Sequence, residues 1–469
     1  MARNFWEISH PDSAAAMVDA RSGDIRTFAD LRADVRRVRA TLPDLGRRSL
    51  GLLLSANRQD CIATYLAALE ARSALILLDA ALAPELMEEL VRIYRPDWIA
   101  GDAPNFKLAG YSKVGANPRI VARELRDDLD IHPDLGILLS TSGSTGSPKL
   151  VRLTLRNLQA NAESIAEYLQ LTPDERPVTS LPMAYSYGLS VINSHLLVGA
   201  ALVLTEFGVL QREFWDVVER HSCTSLAGVP YTYEMLLKTG LLRNKGRGFK
   251  TLTQAGGRLA EEHVREIREI AEKRGWRFFV MYGQTEATAR ISYVPHEDLG
   301  RKPGSVGIPI PGGSLRLDEE MGELIYQGPN VMMGYAERRE DLAKGDELKG
   351  VLKTGDLARQ DEDGYFYLTG RTKRFLKLFG KRFNLDDVER TLARRFSSPI
   401  VCYGEDDLLT VAVEELSPDI ELVTTTLRTT YGLPRTALRV LAVDGIPRTA
   451  NGKVDYQTLK MGELSRSIQ

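Results

Sequence analysis

The sequence predicts an α/β fold. A large N-terminal domain of several subdomains, with parallel sheets and a β-rich part, precedes a small α+β C-terminal domain. Three observations carry this reading. Short apolar runs alternate with amphipathic helical patterns over the first hundred residues, and again from Val178 to Val280. After about Gly300 the texture turns to Gly- and Pro-rich short strands. Near Gly370-Arg371 a last unit with an α+β pattern begins, giving domain bounds of 1–370 and 371–469.

In chain order, Thr27 with Asp30 resembles a capping box, and Phe28, Leu31, Val35, Val38 and Leu42 mark one helical face. The runs Leu50 to Leu54 and Ala74 to Leu78 read as buried strands, separated by an Ala/Leu-rich helix around Cys61 to Ala71. Strand, helix, strand implies a parallel sheet. Ile137-Leu138-Leu139 reads as a further buried strand, and Leu150 to Leu153 as another. Thr154 then caps a helix carrying Leu155, Leu158, Ala162, Ile165 and Leu169. From Leu189 to Leu210 the chain is apolar, but Asn193, His195, Gly199 and Glu206 interrupt it, so a buried helix followed by a strand is expected there. Ala201 to Leu204 and Phe278 to Met281 are strand candidates, with a charged helix from Glu261 to Arg274 between them. Lys302 to Gly307 and Met321 to Gly328 are expected as short strands of the β-rich part. In the last unit a basic strand from Arg374 to Phe379 precedes Asn384, a helix cap for Val388, Leu392 and Phe396. Strands follow near Ile400 to Tyr403 and Leu408 to Glu414.

Composition excludes several classes of protein. The chain has 469 residues, 43% apolar and 26% charged, an ordinary globular balance for two or three domains. Sixty-one basic against 63 acidic side chains leave a net charge of -2, so nothing draws the protein generally to nucleic acid or anionic membranes. Cys61, Cys223 and Cys402 lack metal-like pairing and read as buried inert thiols. The opening Met1 to Glu7 lacks an apolar signal core, and no membrane insertion is expected; a cytoplasmic location fits.

The most informative stretch runs from Leu138 to Lys149, through Ser140, Thr141, Ser142, Gly143, Ser144, Thr145, Gly146, Ser147 and Pro148. Small residues let the backbone turn its N–H groups toward one point, hydroxyls add donors, and Lys149 adds charge. Such a loop suits a polyphosphate. By itself such a cluster is more often an ordinary flexible turn, but strand patterns on both sides make it a positioned one. A Walker-type loop ends in Gly-Lys-Ser/Thr; here Pro148 precedes the lysine and Leu150 follows it, so that reading fails.

Further segments follow in order: Leu181 to Gly188, Tyr282-Gly283-Gln284-Thr285-Glu286, Lys353-Thr354-Gly355-Asp356, Gly370-Arg371 with Gly380-Lys381-Arg382, and Pro447 to Lys453. With the Ser140 to Lys149 loop they resemble the adenylate-forming superfamily of acyl-CoA synthetases, peptide-synthetase adenylation domains and luciferases. The resemblance covers nearly the whole chain. It implies ATP and Mg2+ as cofactors, with Thr141 to Gly146, Lys149, Tyr282, Gly283, Asp356, Arg371 and Arg382 binding the nucleotide. Thr285 would contact the α-phosphate, Glu286 the magnesium, and Lys453 would be the catalytic lysine, stabilising charge on the transferring phosphate. Asp356, expected in a tight Thr-Gly-Asp turn, would accept bonds from the ribose hydroxyls. The resemblance also implies a mobile C-terminal domain hinged at Lys373, with Gly380 at the thiol tunnel. Tyr185, Ser190, Gly256 and Gly257 would line the substrate pocket.

The reaction so implied joins a carboxylic acid to a pantetheine thiol through an acyl-adenylate, with free CoA the expected acceptor because no carrier domain follows Gln469. Loading of an acyl or peptidyl carrier protein is the alternative, and a non-catalytic acyl-adenylate-binding protein a third reading. A luciferase-type oxygenase shares the first half-step. Met183 to Tyr187 holds no aspartate to pair an α-ammonium, which disfavours a free α-amino acid as substrate. Ala184-Tyr185 stands where many acyl-CoA ligases have Phe-His, so the pocket wall is altered. Tyr185, Ser186, Tyr187 and Ser190 suit a small oxygenated or aromatic acid, though an aromatic-rich helix start also serves plain core packing.

Overall fold

The alternation of apolar runs and helices builds two large sheets. In the computed structural model, residues 4–101, 110–114, 117–124, 130–140, 149–372, 374–378, 381–405, 407–414, 419–448, 454–456 and 458–459 are described. The chain divides into two compact units: Met1–Leu315 with Tyr326–Leu352, and Arg316–Ile325 with Lys353–Gln469.

In the first unit, Leu50–Ser55 and Ala74–Asp79 pair in parallel, joined by the helix Gln59–Glu70. Every residue of that helix from Cys61 to Leu69 is buried, as its all-round apolar pattern requires. Leu135–Ser140 pairs in parallel with Ala74–Asp79, then turns back antiparallel onto Leu150–Thr154. These strands belong to an eight-stranded sheet whose edge strand on that side is Gly334–Ala336. A nine-stranded sheet contains the parallel run Arg277–Tyr282, Thr251–Gln254, Ser225–Gly228, Pro177–Val178 and Leu202–Leu204, followed by Ala15–Asp19.

The helix starts read from sequence are formed by their side chains. The Thr27 hydroxyl accepts from Asp30 N while the Asp30 carboxylate accepts from Thr27 N, opening the helix Phe28–Arg39. Phe28, Leu31 and Val35 face the core. Thr154 and Asn157 make the same reciprocal pair at the start of Leu155–Tyr168. The apolar 189–210 window resolves into the helix Ser186–Val198 and the strand Leu202–Leu204. Gly199 ends the helix at φ 80°, a left-handed conformation that a side chain would strain. No helix among the described residues is long and apolar enough to cross a membrane. All three cysteines are buried and free, and burial pushes the Cys223 thiol up to about 12.

Two local expectations need correction. Lys302 to Gly307 is not a strand: Ser305 N bonds Lys302 O, Gly307 N bonds the Ser305 hydroxyl, and strand pairing begins only at Ile308–Pro309. These local bonds curl the segment, and it meets the strand Ser292–Val294 only at its end, where Val306 O accepts from the Ser292 hydroxyl at 2.6 Å. Asp356 does not sit in a tight turn but inside the strand Val351–Gln360, opposite Arg371 of Phe366–Arg371. A register shift between Leu357 and Ala358 supplies the irregularity that its Thr-Gly-Asp sequence announces.

The second unit has its own core around Leu376, Val388, Leu392, Cys402, Val411 and Leu427. The hairpin Phe375–Leu378 with Lys381–Asn384 leads into the helix Leu385–Ala393, directly after Asn384. Ile400–Glu405 and Leu408–Glu414 pair antiparallel as expected. The helix Ile420–Tyr431, and Leu438–Val443 in parallel on Leu408–Glu414, complete the unit.

Candidate active site

The strand Arg277–Tyr282 delivers the Tyr-Gly-Gln-Thr-Glu segment to the end of the nine-stranded sheet. Beyond Tyr282 the chain makes a single 3₁₀ turn, Thr285–Ala287, and returns through Ile291, whose N–H donates to Tyr282 O at 2.9 Å. The two legs lie so close that a Cβ on Gly283 would stand 1.9 Å from Ala289 O, so only glycine fits. Asn330, almost wholly buried, pins both legs: its Nδ2 donates to Ala287 O and Arg290 O, both at 2.8 Å. Thr288 has φ 63°, an unusual value for a β-branched residue, and its hydroxyl is held by Asn330 O at 2.7 Å.

This rigid turn presents Thr285 and Glu286. The Thr285 hydroxyl lies 3.2 Å from Ser186 Oγ, at the first residue of the helix Ser186–Val198. Glu286 Oε1 accepts from the Tyr335 hydroxyl at 2.8 Å. The Tyr335 ring also carries Lys149, whose Nζ stands 3.5 Å from the ring centroid and 3.9 Å from a Glu337 carboxylate oxygen. Burial, and then the neighbouring Glu286 carboxylate, raise the Tyr335 hydroxyl above the ordinary phenol range, so it remains a proton donor. Lys149, Tyr335, Glu286, Thr285 and Ser186 thus form one contiguous polar group. Tyr335 is the member that sequence reasoning missed. It lies on the edge strand Gly334–Ala336, opposite Val151 of the strand that leaves the Gly/Ser/Thr loop, and nothing local marks it.

The other expected site residues fall in several places. Thr141, Ser142, Gly143, Ser144, Thr145 and Gly146 lie outside the described residues, but Ser140 and Leu150 pair across the base of their loop. Lys453, Lys373 and Gly380 also lie outside the described residues, and of Arg382 only its place on the strand Lys381–Asn384 is described. Tyr282 is half-buried and its hydroxyl accepts from Gln284 Nε2 at 3.1 Å. In the second unit, Asp356 is buried and its carboxylate accepts from Arg371 Nε at 2.9 Å.

Around the expected pocket, the Tyr185 hydroxyl abuts Gly256, where a Cβ would lie 2.5 Å away. Burial raises this hydroxyl above its ordinary value, so it stays protonated. The Ser190 hydroxyl is engaged with Tyr187 O at 2.7 Å, and Gly257 O accepts from Gln254 Nε2 at 2.9 Å. Arg290, unmarked in sequence, lies with its guanidinium carbon 4.0 Å from the Tyr187 ring centroid. Among the described residues no three His, Cys, Asp or Glu side chains gather as a metal cage. Glu286, which shares the Tyr335 side chain with Lys149, fits a Mg2+ ion held by one carboxylate and by substrate phosphates instead.

This turn, on a parallel-stranded scaffold, lies within the stretch that assigns the chain to a class. Residues 6–336 match the model of the family described as AMP-binding enzyme, and the chain belongs to that family. It is similar to a sulfoacetate–CoA ligase of Cupriavidus necator, 30% identical over 344 residues, 69% of this chain and 66% of that protein. An oxalate–CoA ligase of Arabidopsis thaliana is 29% identical over 361 residues, 71% of this chain and 69% of the relative. An L-proline–[L-prolyl-carrier protein] ligase of Pseudomonas fluorescens is 31% identical over 350 residues, covering 70% and 68%. The matched stretch thus spans about two thirds of these relatives' length. Among solved structures, ATP-bound MatB from Rhodopseudomonas palustris superposes with a TM-score of 0.78 at 23% identity, covering 98% of this chain and 99% of that one. The o-succinylbenzoate CoA synthetase from Bacillus subtilis, in complex with its acyl-adenylate intermediate, gives 0.76 at 21% identity, covering 98% of each chain. These superpositions establish the fold.

Proposed function

We propose that this protein is an ATP-dependent acid–thiol ligase. The acid's carboxylate attacks the α-phosphate of ATP, pyrophosphate leaves, and a pantetheine thiol then displaces AMP from the mixed anhydride to give the thioester. The observation that carries the reading is the polar group centred on Tyr335, in which a lysine at the end of the Gly/Ser/Thr loop and a carboxylate of the Thr-Glu turn share one tyrosine. An ammonium and a carboxylate so arranged suit, respectively, phosphate oxygens and the metal that accompanies them. When bound at Glu286, Mg2+ neutralises phosphate charge and orients the triphosphate.

The remaining roles follow the chain's own residues. The loop Thr141 to Gly146 with Lys149 holds the phosphates, Tyr282 and Gly283 border the adenine, and Thr285 donates to the α-phosphate. Asp356 takes the ribose hydroxyls, with Arg371 and Arg382 as further contacts, and Lys453 stabilises the charge that develops as the phosphate transfers. The segment 371–469 turns about Lys373 between the half-reactions, after which Gly380 faces the incoming thiol. CoA is the favoured acceptor. The resemblance to a carrier-protein ligase keeps an acyl or peptidyl carrier protein as the alternative acceptor.

Acid-dependent pyrophosphate release from MgATP, over a panel of short-chain, hydroxy, aryl, long-chain and amino acids with hydroxylamine as trap, tests the first half-reaction. CoA or a carrier protein added afterwards decides the acceptor. Lys453→Ala is expected to remove most adenylation while ATP still binds; full-rate adenylation in that variant would remove the lysine from the mechanism. Asp356→Ala is expected mainly to weaken ATP binding, and an unchanged ATP affinity would refute the ribose contact.

A further inference from the structure

Arg290 is a buried cation that no described carboxylate neutralises. Its exposure is 2%, its Nε is buried with no hydrogen-bond partner, and among the described residues no carboxylate pairs with it. A guanidinium stays charged at any physiological pH, and the interior charges heavily for an unpaired one. What surrounds it is aromatic and polar instead: the Tyr187 ring lies beneath it, and the Tyr168 and Tyr185 hydroxyls lie within its field. The cation–π contact, the Tyr168 hydroxyl and Ala289 O, 3.4 Å from one guanidinium nitrogen, offset part of the cost of burial but leave Nε without a partner and the charge without an anion.

Its position relates it to the reacting end of the site. Arg290 stands on the returning leg of the turn that presents Thr285 and Glu286, and its backbone O is held by Asn330, which also holds Ala287. Tyr187, on which it stacks, follows Ser186, whose hydroxyl is 3.2 Å from Thr285. With Ser190 and Thr253, Arg290 also lines an internal cavity of about 20 Å³, space for about one water.

We propose that Arg290 is a specificity-determining residue that pairs with a second anionic group of the acid substrate, a carboxylate or sulfonate remote from the carboxylate that is activated. This rests on the adenylation reading and names its substrate class: short acids with two anionic groups. The planar fork of a guanidinium matches such an oxyanion with two parallel hydrogen bonds, and pairing removes the penalty of the buried charge at the moment of binding. The same cation repels an α-ammonium, in keeping with the missing aspartate in Met183 to Tyr187.

The test compares matched acids on the full chain: malonate, succinate, glutarate, adipate and 3-sulfopropionate against propionate, butyrate, valerate and hexanoate. Pyrophosphate release gives kcat and KM for each. At least one acid with two anionic groups is expected to exceed its singly charged counterpart in kcat/KM by more than tenfold. In Arg290→Met that ratio is expected to fall to near one, chiefly through KM, and Arg290→Lys to restore part of it. A wild-type preference for singly charged acids throughout, or a ratio kept in Arg290→Met, overturns the assignment of Arg290 while leaving adenylation standing. Release with none of these acids, nor with the broader panel, overturns the adenylation reading and this one with it. The wild-type comparison decides the matter even if Arg290→Met does not fold.

Discussion

At the residue scale, the side chains of the proposed site divide into those that are neighbours in sequence and those that meet only in space. Thr285 and Glu286 could be named together from sequence because adjacent residues share one turn. Tyr335, 49 positions from Glu286, was not, because an isolated tyrosine on a short edge strand carries no local pattern. Its hydroxyl donates to a carboxylate, and such charge-assisted bonds contribute roughly 1.5–3 kcal/mol. Tyr335→Phe is therefore expected to lower kcat/KM for MgATP by about tenfold or more. Pyrophosphate release with circular dichroism as a folding control would measure it, and an unaltered rate would make the contact merely structural. His195 offers a pH prediction. Its Nδ1 engages Val191 O at 2.8 Å, and burial pushes the ring down to about 4 from an ordinary 6.5, a shift only partly opposed by Val191 O and Glu175. Above 6.5 both folded and unfolded states hold it neutral, so its full stabilising contribution is present there. As pH falls from 6.5 toward 4 the unfolded chain takes up a proton that the folded one refuses, and on the order of 3 kcal/mol is lost. Urea midpoints across that window should fall less steeply in His195→Gln than in the wild type; parallel slopes would discount this histidine.

At the element scale, helix boundaries were read well wherever a short polar side chain closes them. Thr27 and Thr154 bond their own third-following residues, an interaction contained within four positions and so visible in sequence. Thr154→Ala is expected to cost about 1 kcal/mol, measured as a lowered urea midpoint with an unchanged slope. A midpoint that did not move would mean that tertiary packing alone holds Leu155–Tyr168 in place. Strands were less secure. Lys302 to Gly307 has strand-like punctuation, but it reaches the neighbouring strand Ser292–Val294 only at its last residues, and backbone without a ladder gives way to local turns. Asp356 failed in the opposite direction: its turn-like residues are overruled by the ladder to Phe366–Arg371, leaving only a shifted register. Asn330 links elements far apart in sequence. Asn330→Ala is expected to destabilise by roughly 2–3 kcal/mol, since two carbonyls and the Tyr326 hydroxyl lose their partner. It is also expected to raise KM for ATP by loosening the Thr285–Glu286 turn, and thermal denaturation with steady-state kinetics would check both effects.

At the scale of the whole molecule, all four tryptophans, Trp6, Trp98, Trp215 and Trp276, belong to the first compact unit. Tryptophan fluorescence therefore follows that unit, whereas far-ultraviolet circular dichroism follows both. With separate cores, the two signals are expected to give non-coincident urea transitions. Superimposed curves would show that the units unfold as one. The sequence by itself determined the alternation of strands and helices, the capped helix starts, the buried cysteines and the six ordered segments of an adenylate-forming enzyme, because each is written within a few consecutive residues. Tertiary structure decided what those segments meet. Parallel strands are joined by long crossovers, so their order in a sheet is set by packing rather than by the turn between them. Packing also decided that Gly334–Ala336 would lie beside the strand leaving the Gly/Ser/Thr loop and place Tyr335 between Lys149 and Glu286. Arg290 was left buried against tyrosines rather than beside a carboxylate for the same reason: a side chain's partners across a core depend on contacts between distant residues, which no local pattern records.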